Sequence, residues 1–504
     1  MSVETQYRIR RFEIHKDHHL FAWCDDLTQK ANNLYNAVRF RQRQTMTGLS
    51  KEPGERSANE NEVLTEIEAF ILSDPRYEMP TREKWNLSYS LLNGEMKYNG
   101  NPDYFAEGLP RQSAQAVIRG CCDEMLSYFR AARAYASDPS KFKGRPSLPG
   151  YARKGGHRTC KITNQDCVLY EKNGRWEIKL PLIKSRLCGG AAMEGYALKE
   201  ACVKPDNGIY VISITLEKTV CIPDLPKEPS RIAGIDMGVD NLMAVTNNIG
   251  KSCILYKGGI LKSINRNYNR KIAKTVSEQT LRTGSRFVPT PESMDITLRR
   301  NDQVRDIMHK TAKHFVSWCV ENRIDTIVTG VNAGIKQNIS IGHVNDQNFV
   351  QIPFDMLRRM IKYLAEEKGM RYIEQEESYT SKANFPGRDL IPTYGEDDDR
   401  ACFSGKRGPH RYKGTYSAGG FRGLYMTDDG AIINSDLNAS ANIIRKAVPE
   451  AFDKGSDVCF DDVKIIVHPD SENIRLLRER QLEKNSGTSR SRQKRLKKKG
   501  MIPA

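Results

Sequence analysis

The spacing of apolar residues predicts two helices in the first part of the chain. Apolar side chains recur at helical intervals from Leu27 to Val38 and again across residues 112–135. Asp25 and Asp26 are candidate caps for the first helix. Residues 45–105 are polar and rich in turn-forming residues, so we expect them to contribute little to a core.

Between these helices and residue 222 the period changes to that of β-structure. Short strands are predicted at 168–170, 176–180 and 210–216, separated by Asn-Gly turns. Together they predict a small β-barrel or sheet, to which a first strand near residues 5–13 must return if it is to be buried.

The second half of the chain alternates helices and strands. Residues 231–247 predict a buried strand, a tight glycine turn and a second strand, and a final helix is expected near Asn438. The elements predicted between them are a helix at 296–322, a strand at 326–329, a helix at 354–368 and a strand at 371–375. This order of elements is the one that an RNase H-like domain requires.

Charge indicates a polyanionic partner. The 504 residues carry a net charge of +17, and residues 484–504 hold eight basic residues and no acid. Basic residues interleaved with aromatic ones at 39–43 and 141–154 suit contacts with a nucleic-acid backbone, although a solvated helix end and a linker explain them about as well. The candidate residues are Arg39, Arg41, Arg43, Lys141, Lys143, Arg145, Arg153 and Lys154.

Other classes of protein are excluded by what the sequence lacks. No apolar run is long enough to span a membrane, and the first 21 residues do not have the apolar core of a signal peptide. The twelve cysteines include no CxxC pair, which favours reduced thiols in a cytoplasmic protein. Hydrophobic residues make up 38% of the chain, enough for packed domains.

Two aspartates occupy unusual backbone positions 200 residues apart. Asp236 lies near the end of an apolar strand, where a charge is costly unless it is paired or bound to metal. Asp436 lies at a helix start, where it could simply be an N-cap. Together they suggest a metal-binding pair, which needs a third carboxylate from another strand of the same sheet.

Several ordered segments resemble the TnpB family of transposon-associated RNA-guided DNA nucleases, which are related to type V CRISPR effectors and to Fanzor proteins. The resemblance is clearest over residues 231–446. The segments that carry it are Gly234-Ile235-Asp236-Met237-Gly238-Val239, the run from Lys257 to Asn265, Ser378-Tyr379-Thr380-Ser381-Lys382 and Asp436-Leu437-Asn438-Ala439.

The resemblance implies a RuvC-type site with Asp236 and Asp436 as the first and third ligands of a two-metal Mg²⁺ centre. Where most of the family has the second ligand, a glutamate, this chain has Thr329-Gly330-Val331-Asn332. Family members with a relocated glutamate place it just before a Tyr-Thr-Ser run, which here selects Glu377, with Glu376 as second choice. Adjacent strand residues face opposite ways, so at most one of the two should point into the site.

The resemblance also raises the question of zinc. Many relatives carry two CxxC pairs before the last aspartate, whereas residues 382–435 offer only Cys402 and His410. Because structural zinc normally takes four such ligands, we expect no zinc site.

We therefore expect an α/β multidomain protein with a RuvC-like RNase H-fold nuclease domain, a β-barrel wedge-like domain and a helical recognition domain. The expected bounds are 1–19 with 156–228 for the barrel, 20–155 for the helical domain, 229–446 for the nuclease domain with an insertion at 378–432, and 447–504 for a C-terminal region with a flexible basic tail.

The function implied is RNA-guided endonuclease cleavage of target double-stranded DNA next to a short flanking motif, by Mg²⁺-dependent phosphodiester hydrolysis. The expected partners are a guide RNA and the target DNA, with no membrane, a monomer favoured, and a prokaryotic cytoplasmic, nucleoid-associated location. One rival is a catalytically silent RNA-guided DNA-binding regulator, which would follow if Glu377 does not replace the missing glutamate. The other is a DNA strand-transfer enzyme of RNase H fold, which would carry no specific RNA.

Overall fold

The chain divides into two compact units, Val3–Val220 and Cys221–Ala504, the latter together with Met1–Ser2. We call them the N-terminal unit and the C-terminal unit. The computed structural model describes residues 2–104, 108–191, 195–222, 228–284, 287–332, 350–395, 402–412, 415–418, 423–453 and 458–470. The basic tail therefore lies outside the described residues.

Helices build most of the first part of the N-terminal unit. They are α1 (Phe21–Leu49), α2 (Ala58–Ser73), α3 (Tyr89–Tyr98) and α4 (Arg111–Ser137). The predictions of α1 and α4 are confirmed, but the predicted caps are wrong. Helix α1 begins after Leu20 with no side-chain cap, and Asp25 instead accepts a 2.6 Å hydrogen bond from the Tyr210 hydroxyl.

The expectation that residues 45–105 contribute little core is also wrong. Val63, Ile67 and Phe70 of α2 are buried, as are Leu91, Leu92 and Met96 of α3. A capping box at the start of α2, in which Ser57 and Glu60 bond each other's backbone amides, was the sequence signal for this helix.

The β-structure of the N-terminal unit consists of open sheets. Its strands are β1 (Ser2–Ile14), β2 (Cys160–Thr163), β3 (Val168–Lys172), β4 (Arg175–Lys179), β5 (Arg186–Ala191), β6 (Ala197–Asp206) and β7 (Ile209–Ile222). One sheet has the order β1-β7-β6-β2 and the other the order β3-β4-β5. The first strand does return to this sheet as predicted, but the described strands do not close into the predicted barrel.

A six-stranded sheet forms the centre of the C-terminal unit. Its strands, in spatial order, are β12 (Arg371–Glu376), β11 (Thr326–Val331), β8 (Ile232–Asp236), β9 (Asn241–Asn247), β10 (Ser252–Lys257) and β18 (Cys459–Ile466). Strands β8, β11 and β12 run parallel, so their carboxyl ends meet at one edge, whereas β9 is antiparallel to both of its neighbours. Strands β10 and β18 and the helix that follows β10 were not predicted.

Helices cover both faces of this sheet. They are α5 (Gly259–Thr283), α6 (Pro291–Glu321), α7 (Phe354–Glu367) and α8 (Ser435–Ala447). Ala233 and Ile235 of β8 share a core with α6 and α7, whereas Ile232 shares one with α8. Because side chains alternate along a strand, Ile232, Gly234 and Asp236 all face α8.

The segment between β12 and α8 carries small sheets. Strands β13 (Lys406–Arg407), β16 (Leu424–Met426) and β17 (Ile432–Asn434) form one, and β14 (Pro409–Tyr412) pairs with β15 (Thr415–Ala418). The buried Tyr425 hydroxyl donates to the carbonyl of Lys382 at 2.7 Å, which ties the first of these sheets to the loop after β12.

Candidate metal centre

Asp236 is the last residue of β8 and lies on the face that α8 covers. This close packing depends on Gly234, since a Cβ atom there would come within 2.5 Å of Ile444 Cγ1 and 2.7 Å of the Ser440 carbonyl oxygen of α8. The Ser440 hydroxyl in turn donates to the Gly234 carbonyl at 2.9 Å. The strand end carrying Asp236 is therefore held directly against α8.

Asp436 lies in the first turn of α8, but it is not the cap of that helix. The side chain of Asn434 caps it, accepting from the backbone amides of Asp436 and Leu437 at 3.0 and 3.1 Å. This leaves the Asp436 carboxylate available for other contacts. It accepts a hydrogen bond from Asn241 Nδ2 at 2.8 Å, and Arg407 lies 3.4 Å from its other oxygen.

Glu377 follows β12 directly and reaches the same face of the sheet. A Cβ atom on Gly330 of β11 would lie 2.5 Å from Glu377 Oε2 and 2.6 Å from Ile443 Cδ1 of α8. The missing side chain at Gly330 thus makes the space that the Glu377 carboxylate occupies. The family's usual glutamate would follow β11, whereas here the acid arrives from the neighbouring strand.

The pKa of Asp236 responds to the other two carboxylates. Burial raises the pKa of Asp236 well above its usual range, and repulsion from Asp436 and Glu377 raises it further, while Arg407 lowers it. Burial also raises the pKa of Glu377, with repulsion from Glu376 adding to it. Asp236 is therefore a buried acid with two acidic neighbours, and Arg407 and Arg358 supply positive charge near Asp236 and Glu377 respectively.

The pKa of Glu376 shifts in the opposite direction to that of Glu377. Burial raises the pKa of this carboxyl, but hydrogen bonds from Lys446 and Ser378 outweigh burial and lower the pKa overall. Lys446 Nζ lies 2.6 Å from Glu376 Oε2. Of the two adjacent glutamates, the structure brings Glu377 to the other acids and pairs Glu376 with a lysine.

The donor set at this edge suits a hard divalent cation. Asp236, Glu377 and Asp436 offer only carboxylate oxygens, which Mg²⁺ prefers over nitrogen or sulfur ligands. Among the described residues, no three His, Cys, Asp or Glu side chains form a cluster arranged to hold a metal ion. The case for the cation therefore rests on the raised pKa of Asp236 and on the chemistry of the donors.

Residues that the sequence reading missed orient one of the acids. Lys257 Nζ donates to Asn241 Oδ1 at 2.8 Å, and the same amide donates to Asp436, so the three side chains form a relay. Lys257 and Asn241 are partners in the β9–β10 register, with Asn241 almost fully buried. Lys257 begins one of the segments that carry the family resemblance, which was the available signal.

The structure separates the predicted nucleic-acid-binding residues into two groups. Arg39 is fully buried and donates to Glu124 at 2.7 Å, and Arg41 pairs with Glu66 and Glu95 at 2.8 and 2.6 Å. Both arginines thus have acidic partners inside the N-terminal unit.

The remaining basic residues lie on or beside an exposed connector, residues 138–158. The exposed ones are Lys141, Lys143, Arg145, Arg153 and Lys154. The connector backbone is anchored on α1, where Asn36 exchanges two hydrogen bonds with Ala152 and Arg43 donates to the carbonyl of Pro149 at 3.1 Å. Anchoring the backbone leaves these basic side chains directed to solvent.

The chain is similar to several solved structures at low sequence identity. One is a Cas12f1–sgRNA–target DNA complex, with 13% identity, coverage of 82% of both chains and a TM-score of 0.43. A second is the mini RNA-guided endonuclease CRISPR-Cas_phi3, with 9% identity, coverage of 88% of this chain and 92% of that chain, and a TM-score of 0.43. A third is Alicyclobacillus acidoterrestris C2c1 with single-guide RNA, with 9% identity, coverage of 84% and 70%, and a TM-score of 0.31.

No curated protein matches the chain. None of the helices within the described ranges is long and apolar enough to cross a membrane. A family profile, OrfB_IS605, described as a probable transposase, matches residues 213–336, a segment that includes Asp236, Asn241, Lys257 and Gly330. Over this segment the chain is similar to the OrfB_IS605 transposases, which confirms the resemblance to the TnpB family.

Proposed function

We propose that the protein is an RNA-guided DNA endonuclease that cuts target DNA by Mg²⁺-dependent phosphodiester hydrolysis. The observation that carries this proposal is the convergence of Asp236, Glu377 and Asp436, from two strand ends and a helix start, on one edge of a sheet. The buried Asp236 carboxyl is costly to ionise beside Asp436 and Glu377 unless a cation binds there.

The order of elements supports a RuvC-like, RNase H-fold nuclease domain at 229–446. Strands β8, β9 and β10 form an antiparallel meander, and β11 and β12 then add beside β8 in parallel, with a helix before each. In open sheets with parallel strands, sites form at the carboxyl ends of those strands. The three acids lie at that edge.

Within this site the three carboxylates would hold Mg²⁺, which supplies an activated water and stabilises the leaving oxygen of the phosphodiester. The Lys257–Asn241 relay fixes the orientation of the Asp436 carboxylate. Arg407 lies at the same edge with its side chain 41% exposed, so it can approach a phosphate of the bound strand.

A guide RNA supplies sequence recognition through base pairing, while the protein reads backbone shape and a short flanking motif. We propose the N-terminal unit, with its helical domain (20–155) and wedge-like sheets (1–19 with 156–228), as the holder of the RNA and the heteroduplex. The exposed connector residues Lys143, Arg145, Arg153 and Lys154 suit this role. The buried Arg39 is left out of the proposed interface.

The rival function is a guided DNA-binding protein that no longer cuts. It requires loss of one of the three acids. The position of Glu377 beside Gly330, on the face that carries Asp236, favours the nuclease.

The test is cleavage of a plasmid library that carries one target with randomised flanks, using protein purified with RNA from its own locus. The nuclease predicts linear product that needs the matching guide and Mg²⁺, and disappears with EDTA. Specific binding of the target without cleavage would favour the silent regulator. Purified protein without specific RNA would favour the strand-transfer enzyme.

A further inference from the structure

Glu376 ends β12 and Glu377 follows it, and a specific contact separates the roles of these two glutamates. Lys446, in the last turn of α8, is only 8% exposed at its side chain and makes four polar contacts. Its Nζ donates to Glu376 Oε2 at 2.6 Å, to the carbonyl of Ser378 at 3.1 Å, to the Ser378 hydroxyl at 3.4 Å and to the carbonyl of Pro392 at 3.0 Å. Glu376 and Ser378 flank Glu377 in sequence, and Pro392 lies on the segment that follows it.

The contacts of Lys446 with Glu376, Ser378 and Pro392, which we call the clamp, are completed by a backbone amide two residues after Glu376. The amide of Ser378 donates to Glu376 Oε1 at 2.6 Å, so both carboxylate oxygens of Glu376 are engaged. Glu377 lies between these two tied residues. Its amide donates to the Val331 carbonyl at 3.3 Å, and its own carbonyl accepts from the Thr380 hydroxyl at 2.8 Å. Backbone rotation that exchanged the two glutamates would break this whole set of contacts.

Lys446 lies at the opposite end of α8 from Asp436. It follows Asp436 by ten residues, which corresponds to about 15 Å along a helix axis. The same helix thus carries one acid at its start and, near its end, holds the loop that presents another.

Resting on the proposed function, we propose that Lys446 is a positioning residue that fixes Glu377, and not Glu376, as the third carboxylate of the metal centre. The Lys446–Glu376 ion pair and the bonds to Ser378 and Pro392 set the register of the strand end. Without these contacts, either Glu376 or Glu377 can turn its carboxylate toward Asp236, and the metal centre no longer has one fixed set of ligands.

The test compares Lys446→Met, Lys446→Arg and Glu376→Gln with a matched control, Lys362→Met, which removes an exposed lysine on α7. Mn²⁺ binding to the protein–RNA complex is measured by electron paramagnetic resonance, and hydrogen exchange is measured on peptides covering residues 376–395. We expect Lys446→Met to weaken Mn²⁺ binding by about tenfold or more, as loss of groups that orient metal ligands does. Exchange at 377–382 should rise, while Lys362→Met leaves both unchanged.

The conservative variants separate positioning from general stability. Lys446→Arg keeps the donors and should recover most of the Mn²⁺ affinity, and Glu376→Gln should fall between wild type and Lys446→Met. A lower melting temperature in Lys446→Met with unchanged Mn²⁺ affinity at a temperature where it is folded would overturn the clamp. Weakened Mn²⁺ binding in a protein whose wild type cuts no DNA would support the clamp and refute the nuclease.

Discussion

At the scale of single residues, the candidate site depends on side chains that are not acidic themselves but hold one of the acids in place. Asn241 is the clearest case because its amide joins Lys257 to Asp436, with both bonds at 2.8 Å. Asn241 is almost fully buried and donates to Asp436 Oδ2, whereas Arg407 and Ser435 donate to Oδ1. The orientation of Asp436 should therefore depend on this amide.

We expect Asn241→Ala to lower the rate of guided DNA cleavage about 10- to 100-fold, in the range seen when ligand-orienting groups are removed. The Mg²⁺ concentration at half-maximal rate should rise in parallel. Initial rates of plasmid cleavage over a Mg²⁺ series measure both quantities, with Asn267→Ala, an exposed asparagine of α5, as the control. An unchanged Mg²⁺ dependence in Asn241→Ala would show that the relay does not orient a metal ligand.

Glu95 makes a second residue-scale prediction, on stability. Burial raises its pKa to about 7, although Arg41 pulls in the other direction, and its Oε2 has no hydrogen-bond partner among the described residues. The folded state therefore holds this proton more tightly than the unfolded state does. The contribution of Glu95 to the free energy of unfolding is therefore present at low pH and is lost as pH rises through 7. The loss amounts to at most about 3 kcal/mol.

Glu95→Gln should flatten this pH dependence, because glutamine resembles the protonated acid. Urea unfolding followed at pH 5 and pH 8 measures it, with Glu68→Gln on the exposed face of α2 as the control. Equal slopes with pH in wild type and Glu95→Gln would contradict the raised pKa.

At the scale of elements, the contact between β8 and α8 determines whether two of the acids meet. Gly234 permits this contact, since one of the atoms closest to its absent Cβ is a backbone oxygen that cannot move aside alone. The strand and the helix must separate if a side chain is added. Stability and cleavage should then fall together.

We expect Gly234→Ala to destabilise the C-terminal unit by roughly 1–3 kcal/mol, the usual cost of overpacking. Cleavage should fall even at temperatures where the variant remains folded, because Asp236 moves away from Asp436. Chemical denaturation and cleavage rates check both effects. Gly259→Ala is the control, since a Cβ there meets no atom within 4 Å, and a Gly234→Ala variant as stable and active as this control would refute the tight contact.

Comparing the predicted with the observed elements shows which site residues can be identified from sequence. Asp236 and Asp436 could be selected because each has a special place in its own element, and Glu377 because its neighbours match a family pattern. Arg39 could not be placed, since its partner Glu124 lies 85 residues away and no local pattern reveals it. Lys446 was missed for the same reason, because its function depends on a loop 70 residues earlier.

At the scale of the whole molecule, we expect the exposed basic side chains to contact the RNA. The connector holds its basic side chains outward while its backbone is fixed to α1. Replacing Lys143, Arg145 and Lys154 with alanine should make guide RNA binding less sensitive to salt. The slope of log K plotted against log salt concentration should become shallower by roughly two.

Titration of the RNA at several salt concentrations measures this slope. The control is the alanine triple variant of Arg82, Lys84 and Lys97, three exposed basic residues of the same unit. If both triple variants lose the same slope, the connector is no more than part of a diffuse positive surface.

The proposed nuclease site brings together three carboxylates from separate elements around one metal centre. We would measure the single-turnover rate of target cleavage by the RNA-loaded protein carrying Glu377→Gln, with Glu374→Gln in β12 as the control. Glu374 is exposed, so its amide variant should cut like wild type. We expect Glu377→Gln to lose cleavage by several orders of magnitude while it still binds target DNA. Undiminished cleavage by this variant would show that Glu377 is not part of the nuclease site.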